Sequence, residues 1–592
     1  MVLKLIDKVK FLLRILSCVT VCTLTIIIGI QVVNRYVFGT SFTWVEELAG
    51  MAMVYITYFG AAMATINNSN TRIDFFIRKL PGPVYRGFEI LDDCICIAFL
   101  LVICRYAAKL VGTNLNALSA AMKIPLSVNY VGVLSGCVLM ILFYVLRLWI
   151  DVEKLCGGGA ESIMNTGLIV LFVVLGICLL IGLPVAFSIG ISCMALLTVN
   201  GYPPLDIVVQ RMASGAKSFN MMAMPMFIFA GSLMVYGSTP RLMRFANMML
   251  RKMPGGLGAT ALAACGFFGA VSGSGVASAA AIGKIIGPEM LEQKYPRGLT
   301  VGLIAAGGTM ACIIPPSIVM VVYASSSGAS VGDMFLAGFV PGFICILALI
   351  GLNTFFAVKR GNKENVEKTD YTAKERLRIT GDALLPLLMP IFVLGGVFSG
   401  ICTATEASVV AVIYSFILAV FVYRELTLRE FYKVAAESVV TTGVIMLIIS
   451  VATPFGWIMS IQNVPTLFAG WLLSITSSKF LIMAFIFLLL LLLGTFMETM
   501  CIIILVTPIL LPIAQTLGMG VVHYGVSMLM ALMVGSLTPP LSVNLFTSCR
   551  VLNVKYDEAF PDTLWVILTV TACALLTFAV PGITEFLPSI LK

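Results

Sequence analysis

Long apolar segments separated by short polar loops run through the whole chain and constrain its fold more than any other feature. A helix of about 20 apolar residues is long enough to cross the hydrocarbon core of a bilayer. Hydrophobic residues make up 60% of the 592 residues and charged residues only 11%, whereas a soluble chain carries about 25% charged residues. The sequence therefore predicts an all-α polytopic membrane protein with about 16 membrane segments.

The apolar segments fall into two groups. Four come first, at about 11–33, 44–66, 88–112 and 128–150. A short Gly-rich stretch, 156–165, then indicates a linker between a four-helix module (1–155) and a larger module (166–592). The larger module has apolar segments at about 166–199, 221–236, 259–287, 300–323, 334–358, 383–423, 438–461, 463–515, 524–548 and 564–588.

Basic residues between the apolar segments predict the topology. The first ten residues are basic and no small-residue cleavage site follows them, so we interpret 11–33 as a retained first span. Because cytoplasmic loops are rich in Lys and Arg, we expect a cytoplasmic N-terminus, and the basic loop from Arg72 to Arg86 agrees with it. The basic stretch 359–378 is a second expected cytoplasmic loop, which divides the larger module into 166–358 and 380–592.

These two parts of the larger module share one spacing. Ser274 and Glu498 each precede a Pro-Pro dipeptide (315–316 and 539–540) by the same distance. The separation between Ser274 and Glu498, here named the repeat interval, therefore equals that between the two dipeptides. Recurrence at a fixed period indicates an internal repeat. Whether the repeats are parallel or inverted stays open here, because segment 464–476 is too short to show whether it crosses the membrane.

Breaks in the apolar runs are the candidate binding positions. Transporters bind ions and solutes near the midplane, where broken helices present free backbone groups to the ligand. Ser and Thr hydroxyls together with unwound carbonyls form an oxygen cage that suits a hard cation such as sodium. The alternative for small residues in membrane helices is simple helix packing. The breaks lie at 272–275, 314–317, 494–499 and 536–540.

Two of the acidic residues in or beside the apolar runs are candidates for function. Glu498 follows a continuous leucine run, and a carboxylate within the membrane is costly enough to indicate function. Its alternative is a structural acid at a helix end. Glu406, beside Thr403 and Thr405, has the same two interpretations: an ion ligand or a helix cap.

Other functional classes find little support. His523 is the single histidine, and the 16 cysteines are scattered without a paired framework, so neither a transition-metal site nor a histidine-based catalytic site is expected. Lys284 follows Gly283 without the remaining residues of a phosphate-binding loop, and no nucleotide is expected. The basic residues are dispersed as topology signals, which argues against nucleic acid. We therefore expect a transport protein rather than an enzyme.

At these residues the chain resembles the tripartite ATP-independent periplasmic (TRAP) transporters, with the small and large membrane subunits fused. In the first module, 34–39 (NRYVFG), 42–48 (FTWVEEL) and 72–76 (RIDFF) are similar to small-subunit motifs. In the second module, 225–234, 272–274 (SGS), 313–317 (IIPPS), 403–407 (TATEA) and 537–540 (LTPP) are similar to the large-subunit pattern. The family often has Asp where this chain has Ser278 and Glu498.

The resemblance implies an elevator-type carrier with inverted repeats, two re-entrant hairpins and a four-helix scaffold module. It further implies sodium sites formed with the Pro-Pro breaks, and a separate periplasmic binding protein that delivers a carboxylate-bearing anion such as a C4-dicarboxylate, another organic acid or a sialic acid. We expect such a protein among the lipids of a bacterial inner membrane.

The predicted site residues fall into three sets. The sodium ligands are expected among Ser272, Gly273, Ser274, Pro315, Pro316, Thr495, Thr538, Pro539 and Pro540. The substrate ligands are expected among Ser274, Ser317, Glu498 and Asn544. Thr403, Thr405 and Glu406 are possible ion ligands or structural residues.

Two rival interpretations are transporters of another kind. A binding-protein-independent divalent-anion/sodium symporter also uses hairpins and broken helices, but the four-helix module argues against it. A channel would need a pore-lining pattern repeated by oligomerisation, which the sequence does not show.

Overall fold

In the computed structural model the protein is helical throughout the part that can be described: residues 2–39, 42–66, 70, 82–152, 167–200, 204–359, 371–476, 478–539 and 542–591. The predicted linker 156–165, the motif 72–76 and Pro540 lie outside these residues, as does most of the basic loop 359–378. In the described part, β-structure is limited to one isolated bridge between Leu118 and Pro125.

Helices α1 to α9 cover the chain up to Leu250: α1 (Val2–Val37), α2 (Thr43–Ile66), α3 (Gly82–Thr113), α4 (Ser127–Val152), α5 (Gly167–Leu180), α6 (Val185–Asn200), α7 (Asp206–Ala216), α8 (Ala223–Met234) and α9 (Ser238–Leu250). Next come α10 (Gly256–Ser272), α11 (Gly275–Glu292), α12 (Arg297–Met310), α13 (Ile318–Ser327), α14 (Val331–Lys359), α15 (Ala373–Phe398), α16 (Ala404–Ile417) and α17 (Leu428–Ile461). The last are α18 (Val464–Ile475), α19 (Lys479–Phe496), α20 (Thr499–Thr516), α21 (Val521–Leu537), α22 (Val543–Leu552), α23 (Tyr556–Ala579) and α24 (Gly582–Leu591). A 3₁₀ turn at Phe219–Met222 precedes α8, and a π-helical turn at Leu418–Val422 follows α16.

Many of these helices are suited to a membrane. Within the described ranges, ten are long and apolar enough to cross it, and eight further apolar helices are shorter. The predicted all-helical membrane fold is therefore confirmed, while the number of about 16 segments stays a prediction.

Local sequence explains several helix ends. Thr372 and Glu375 form a capping box at the start of α15, in which the Thr372 hydroxyl accepts from the Glu375 N–H and the Glu375 carboxylate accepts from the Thr372 N–H. Gly273 ends α10 and Gly328 ends α13, both with positive φ, a conformation that glycine adopts without steric cost. At these three positions the end of a helix thus coincides with a Thr or Gly residue that favours it.

Five consecutive helices recur at nearly constant spacing. The ends of α10 and α19 are separated by the repeat interval, as are the starts of α11 and α20 and those of α12 and α21. The starts of α13 and α22, and of α14 and α23, exceed this interval by a single position. The breaks between these helices therefore occupy equivalent places in the two halves. An inverted relation between the halves stays a prediction.

The chain divides into two compact units. The first comprises Met1–Pro225 and Tyr432–Leu467, and the second comprises Met226–Phe431 and Phe468–Lys592. Part of the larger sequence module thus belongs to the same unit as the four-helix module. The predicted module boundaries themselves stay a prediction.

The first unit is held together by close helix packing and one buried polar network. A Cβ on Gly60 of α2 would lie 2.8 Å from the Cα of Gly443 in α17, so both positions need glycine for the backbones to approach. The hydroxyls of Tyr58 and Ser450 lie 2.9 Å apart, and Ser450 donates to the carbonyl of Met212. These contacts join α2, α7 and α17.

The second unit is built around two buried helices, α12 and α21. Every residue of α12 after its first is buried, as is nearly all of α21. Gly494 of α19 packs on Gly535 of α21, where a Cβ on Gly535 would lie only 2.6 Å from the Gly494 Cα. The buried Asn353 amide donates to the carbonyl of Gly255, just before α10 begins. This unit contains all the breaks that the sequence singled out.

Candidate functional site

The first hairpin tip is the break between α10 and α11. Gly273 has φ +60°, and Ser274 has an extended backbone and is the N-cap of α11, its Oγ accepting from the Ala277 N–H at 3.4 Å. A Cβ at Gly273 would meet the Ile318 nitrogen and the Pro316 carbonyl oxygen at 3.2 Å. Glycine is therefore required both by the conformation and by the close approach of the Pro-Pro break.

The second hairpin tip is the break between α19 and α20. Glu498 is the N-cap residue of α20, and its carboxylate lies beside the backbone N–H groups of Met500 and Cys501. The Cys501 thiol donates to Glu498 Oε2 at 3.6 Å. The carboxylate is thus held at the positive end of a helix, where the helix dipole favours an anion.

The two Pro-Pro breaks have similar local chemistry. Ser317 is the N-cap of α13, accepting from the Met320 N–H at 3.5 Å and donating to the Cys312 carbonyl. Thr538 ends α21 and donates to the Val534 carbonyl at 2.8 Å. Hydroxyls at these breaks satisfy backbone groups that the interrupted helices leave unpaired.

Residues of both tips and residues beside both Pro-Pro dipeptides line one cavity of about 90 Å³ inside the second unit, large enough for several water molecules. Six pairs of lining residues are each separated by the repeat interval. The pairs are Gly273 with Met497, Ser274 with Glu498, Gly275 with Thr499, Val276 with Met500, Cys312 with Ser536 and Val319 with Val543; Met533 and Asn544 complete the lining. The two halves of the repeat therefore contribute equivalent positions to one site.

Asn544 has a fixed amide orientation. Its Nδ2 donates to Thr309 Oγ1 at 3.0 Å, and the Thr309 hydroxyl itself donates to the Ala305 carbonyl, so Thr309 Oγ1 can only accept from Asn544. The side-chain Oδ1 of Asn544 is buried and has no hydrogen-bond partner among the described residues. Since a buried carbonyl oxygen without a partner costs free energy, this oxygen is available to a ligand.

The polar groups of the cavity are of two kinds. Helices α11, α20 and α22 begin at or beside the cavity, and helix N-termini favour anions. The side chains supply hydroxyl oxygens, the Asn544 amide and the Glu498 carboxylate, which suit a cation. Among the described residues that line the cavity there is no Lys, Arg or His.

The structure brings only part of the predicted set to the cavity wall. Gly273, Ser274, Glu498 and Asn544 line it. Other predicted residues lie at the breaks but do not line the cavity: Pro315, Pro316, Ser317, Thr495, Thr538 and Pro539. Ser272 is the last residue of α10, and its side chain is not among those described.

Glu406 forms a capping box with Thr403 at the start of α16. The Glu406 carboxylate accepts from the Thr403 N–H at 2.8 Å and from its hydroxyl at 3.0 Å, and Thr403 Oγ1 accepts from the Glu406 N–H. Neither residue, nor Thr405, is among the described residues lining the cavity. This geometry corresponds to the helix-cap alternative of the sequence analysis.

The sequence analysis did not single out several cavity residues. Cys312, Val319 and Val543 are apolar or weakly polar, and Thr309 acts only through Asn544. The repeat interval is a signal that could have identified two of them. Cys312 is equivalent to Ser536, which lies in a predicted break, and Val319 is equivalent to Val543, which lies beside Asn544. Thr309 has no such signal, because its counterpart is Met533.

Metal sites built from His, Cys, Asp and Glu are not seen in the part of the chain that the structure describes, where no group of three such residues comes together. The candidate site for a cation is the oxygen-rich cavity, because its lining includes the Asn544 amide and the Glu498 carboxylate.

Comparison with known families identifies the chain. The large-component profile, "Tripartite ATP-independent periplasmic transporter, DctM component", matches residues 171–583, and the corresponding DctQ profile matches residues 24–154. The chain belongs to the tripartite ATP-independent periplasmic (TRAP) transporter family. It carries both membrane components of a TRAP transporter in one polypeptide, and it is a transport protein rather than an enzyme. The family predicted from the sequence is confirmed.

Similar proteins include both fused and separate TRAP permeases. The "Isethionate TRAP transporter permease protein DctMQ" of Oleidesulfovibrio alaskensis is 34% identical over 95% of this chain and 92% of its own length. The "Sialic acid TRAP transporter large permease protein SiaM" of Vibrio cholerae is 33% identical over 69% of this chain and 95% of its own. The "C4-dicarboxylate TRAP transporter large permease protein DctM" of Rhodobacter capsulatus is 33% identical over 72% of this chain and 99% of its own.

Proposed function

We propose that this TRAP permease imports a small organic anion together with sodium ions across a bacterial inner membrane, with its N-terminus in the cytoplasm. A separate periplasmic substrate-binding protein delivers the anion. The observation that supports this most directly is that two hairpin tips and residues beside two Pro-Pro dipeptides, equivalent in the repeat, line one cavity. Broken helices around a shared cavity are the arrangement by which secondary transporters bind their substrates.

The anion would bind at the first hairpin tip. Ser274 is the N-cap residue of α11, so the N–H groups of the first turn of α11 are directed towards the cavity end of this helix. Such N–H groups bind carboxylate or sulfonate oxygens without a basic side chain. The cavity's lack of Lys and Arg among its described lining residues fits this mode of binding.

Sodium would bind to the oxygens at the breaks. The buried Asn544 Oδ1, the hydroxyls of the cavity lining and the Glu498 carboxylate form a donor set that suits a hard cation. Glu498 also gives a physical reason for coupling. An anionic substrate beside this carboxylate would be repelled, and a sodium ion in the same cavity would offset that repulsion.

The relatives indicate the substrate class. Relatives that match most of the large component or the whole chain are named for isethionate, sialic acid and C4-dicarboxylates. Each of these compounds carries a carboxylate or a sulfonate, an oxyanion of the kind that helix N-termini bind. We therefore propose a carboxylate- or sulfonate-bearing organic anion as the substrate.

For the transport step we propose an elevator mechanism, in which the second compact unit carries the cavity and its ligands across the membrane while the first unit serves as the scaffold. This proposal is supported by the lining of the cavity, because all of its described residues belong to the second unit. A binding-protein-independent symporter of divalent anions is the alternative, and the match of residues 24–154 to the small TRAP component disfavours it.

Uptake into proteoliposomes tests the proposal. Purified permease would be reconstituted and given labelled isethionate, succinate or N-acetylneuraminate with the cognate binding protein, under a sodium gradient or with choline replacing sodium. We expect uptake of one anion that needs both sodium and the binding protein. Uptake that is unchanged in choline would contradict sodium coupling, and uptake without the binding protein would support the alternative symporter.

Two variants test the site assignment in the same assay. Ser274→Ala removes a hydroxyl at the first tip, and Thr538→Ala removes one at the second Pro-Pro break. If both variants retain full sodium-driven uptake, the assignment of these breaks is wrong. Glu406→Gln serves as a comparison, because its carboxylate caps α16; we expect it to lower thermal stability more than sodium dependence.

A further inference from the structure

Arg211 of α7 belongs to the first compact unit, whereas all described residues that line the cavity at the hairpin tips belong to the second. Its side chain is half-buried, its Nε–H is fully buried, and it makes no hydrogen bond or ion pair with any residue that the structure describes. The contact that its guanidinium does make is with the face of the Trp457 ring, at 4.4 Å from the ring centroid. A buried guanidinium N–H without an acceptor is unfavourable, so this group is suited to an acceptor from outside the chain.

The other half-buried arginines whose side chains are described have an acidic partner. Arg241 Nη1 lies 2.9 Å from Glu425 Oε1, and Arg251 Nη2 lies 3.3 Å from Glu289 Oε1. The exposed Arg297 also has a partner, Glu558, at 3.1 Å. Among the described residues, Arg211 is thus the half-buried arginine without an acidic partner.

The cations nearest to the two ends of α7 are also matched by acids. Lys109 Nζ lies 2.5 Å from Asp206 Oδ2 at the start of α7, and Lys217, at its end, lies within electrostatic range of Glu47. Asp206 is thus engaged by a lysine, and Glu47 accepts from the N–H groups of Ala121 and Met122. Arg211 is the cation of α7 whose charge is left for an external anion.

The same contacts locate α7 relative to the membrane. Lys109 is in the last turns of α3, and Glu47 is in the first turns of α2. With the proposed cytoplasmic N-terminus, both places are at the periplasmic end of their helices, so the two ends of α7 lie towards the periplasmic end of the first unit. Lys and Arg are enriched on the cytoplasmic side of membrane proteins and not on the periplasmic side. A binding role therefore explains Arg211 better than membrane topology does.

We propose that the Arg211 guanidinium, oriented by Trp457, binds the carboxylate or sulfonate group of the transported anion at a second site on the scaffold, where the anion arrives from the periplasm. This proposal rests on the proposed import of an organic anion. Stacking on an indole fixes the guanidinium plane, and a fixed plane can offer two parallel N–H groups to one oxyanion. Lysine cannot reproduce that geometry.

Thermal unfolding with small oxyanions tests the site without knowledge of the substrate. Detergent-purified permease would be melted in sodium chloride and in sodium methanesulfonate or acetate at equal ionic strength. A ligand of the folded state raises the melting temperature. We expect the rise to fall by more than half in Arg211→Gln, to be partly retained in Arg211→Lys, and to be unchanged in Arg297→Gln, whose ion pair is exposed. An equal rise in wild type and Arg211→Gln would overturn the proposal.

A lipid phosphate offers the same oxyanion chemistry, so a second arm adds phosphatidylglycerol to the detergent. Stabilisation by this lipid but not by methanesulfonate or acetate, lost in Arg211→Gln, would show a lipid site and contradict the proposal. If Arg211→Gln does not fold, Trp457→Phe replaces it, since this variant retains the guanidinium and weakens its orientation; the rise is then expected to decrease but not disappear.

Uptake kinetics separate this site from the hairpin cavity. In proteoliposomes we expect Arg211→Gln to raise KM about tenfold with kcat within about twofold, because it would remove binding that precedes the transport step. An unchanged KM would contradict the proposal. If wild type transports none of the three anions, the proposed function fails, while the oxyanion melting experiment still decides whether Arg211 binds anions.

Discussion

The two hairpin tips occupy equivalent places in the repeat but differ in chemistry. The first presents Gly273 and Ser274, a left-handed glycine followed by a neutral hydroxyl N-cap. The second presents Met497 and Glu498, an extended backbone followed by a carboxylate. Equivalent positions of the repeat thus contribute a neutral hydroxyl, that of Ser274, and a carboxylate, that of Glu498, to the lining of one cavity.

This difference indicates a division of roles. An anion is better accommodated at the first tip, where the helix N-terminus carries no competing charge. A cation is better accommodated at the second tip, where the carboxylate attracts it. If this division is correct, a change that removes or transfers the charge should affect transport more than a change that preserves it.

The largest effect is expected from Glu498→Ala. Removal of a partly buried charged partner typically costs about 2–5 kcal/mol, so we expect the sodium concentration for half-maximal uptake to rise about 100-fold, which corresponds to about 2.7 kcal/mol. Sodium titration of uptake measures it. Glu498→Asp retains the charge and should stay close to wild type. A normal sodium titration in Glu498→Ala would show that the second tip does not bind the cation.

Transfer of the charge to the first tip gives the complementary test. Ser274→Asp would place a carboxylate on the side assigned to the anion, and we expect uptake to be lost while sodium still raises the melting temperature. Loss of both properties would indicate misfolding instead, and retained uptake would remove the basis for the division of roles.

A smaller effect, on stability, is expected from Gly273→Ala. Alanine at φ +60° costs roughly 1–2 kcal/mol, and its Cβ would press on backbone atoms at 3.2 Å. We expect a lower melting temperature by thermal unfolding. Met497→Ala, at the equivalent place of the second tip, has φ −124° and needs no special conformation. Equal destabilisation by both substitutions would show that the tips do not differ in backbone strain.

The sequence predicted the helical membrane fold and the family because apolar length, Pro-Pro dipeptides and small-residue breaks are local signals. It also named Ser274, Glu498 and Asn544, which line the cavity. It could not predict the contact of Asn544 with Thr309, since this depends on how α12 and α22 pack. It did not single out Arg211, whose peculiarity is a buried Nε–H without an acceptor among the described residues. Both properties depend on tertiary packing, which the spacing of residues along the sequence does not reveal.

Asn544 breaks the symmetry of the cavity, because its counterpart at the repeat interval is Met320. Asn544→Leu removes the buried Oδ1 and leaves the Thr309 hydroxyl without a donor. We expect sodium affinity to fall about tenfold, which corresponds to about 1.4 kcal/mol, as measured by the sodium dependence of the melting temperature. Met320→Leu is the matched control at the equivalent place and should leave sodium affinity as it is. An effect of similar size in both would assign the change to packing.

The smallest effect is expected from Cys312→Ser, which makes the first half resemble the second at the pair formed by Cys312 and Ser536. Both residues line the cavity, and a hydroxyl in place of the buried thiol changes its polarity with little change in volume. If the tips rather than the Pro-Pro breaks distinguish the two halves, sodium affinity and KM should both stay within about twofold of wild type, a change of about 0.4 kcal/mol. A larger change in KM alone would place the anion against Cys312, and a larger change in sodium affinity alone would place the cation there. Either result would show that the two halves differ in ligand binding at the first Pro-Pro break and not only at the hairpin tips.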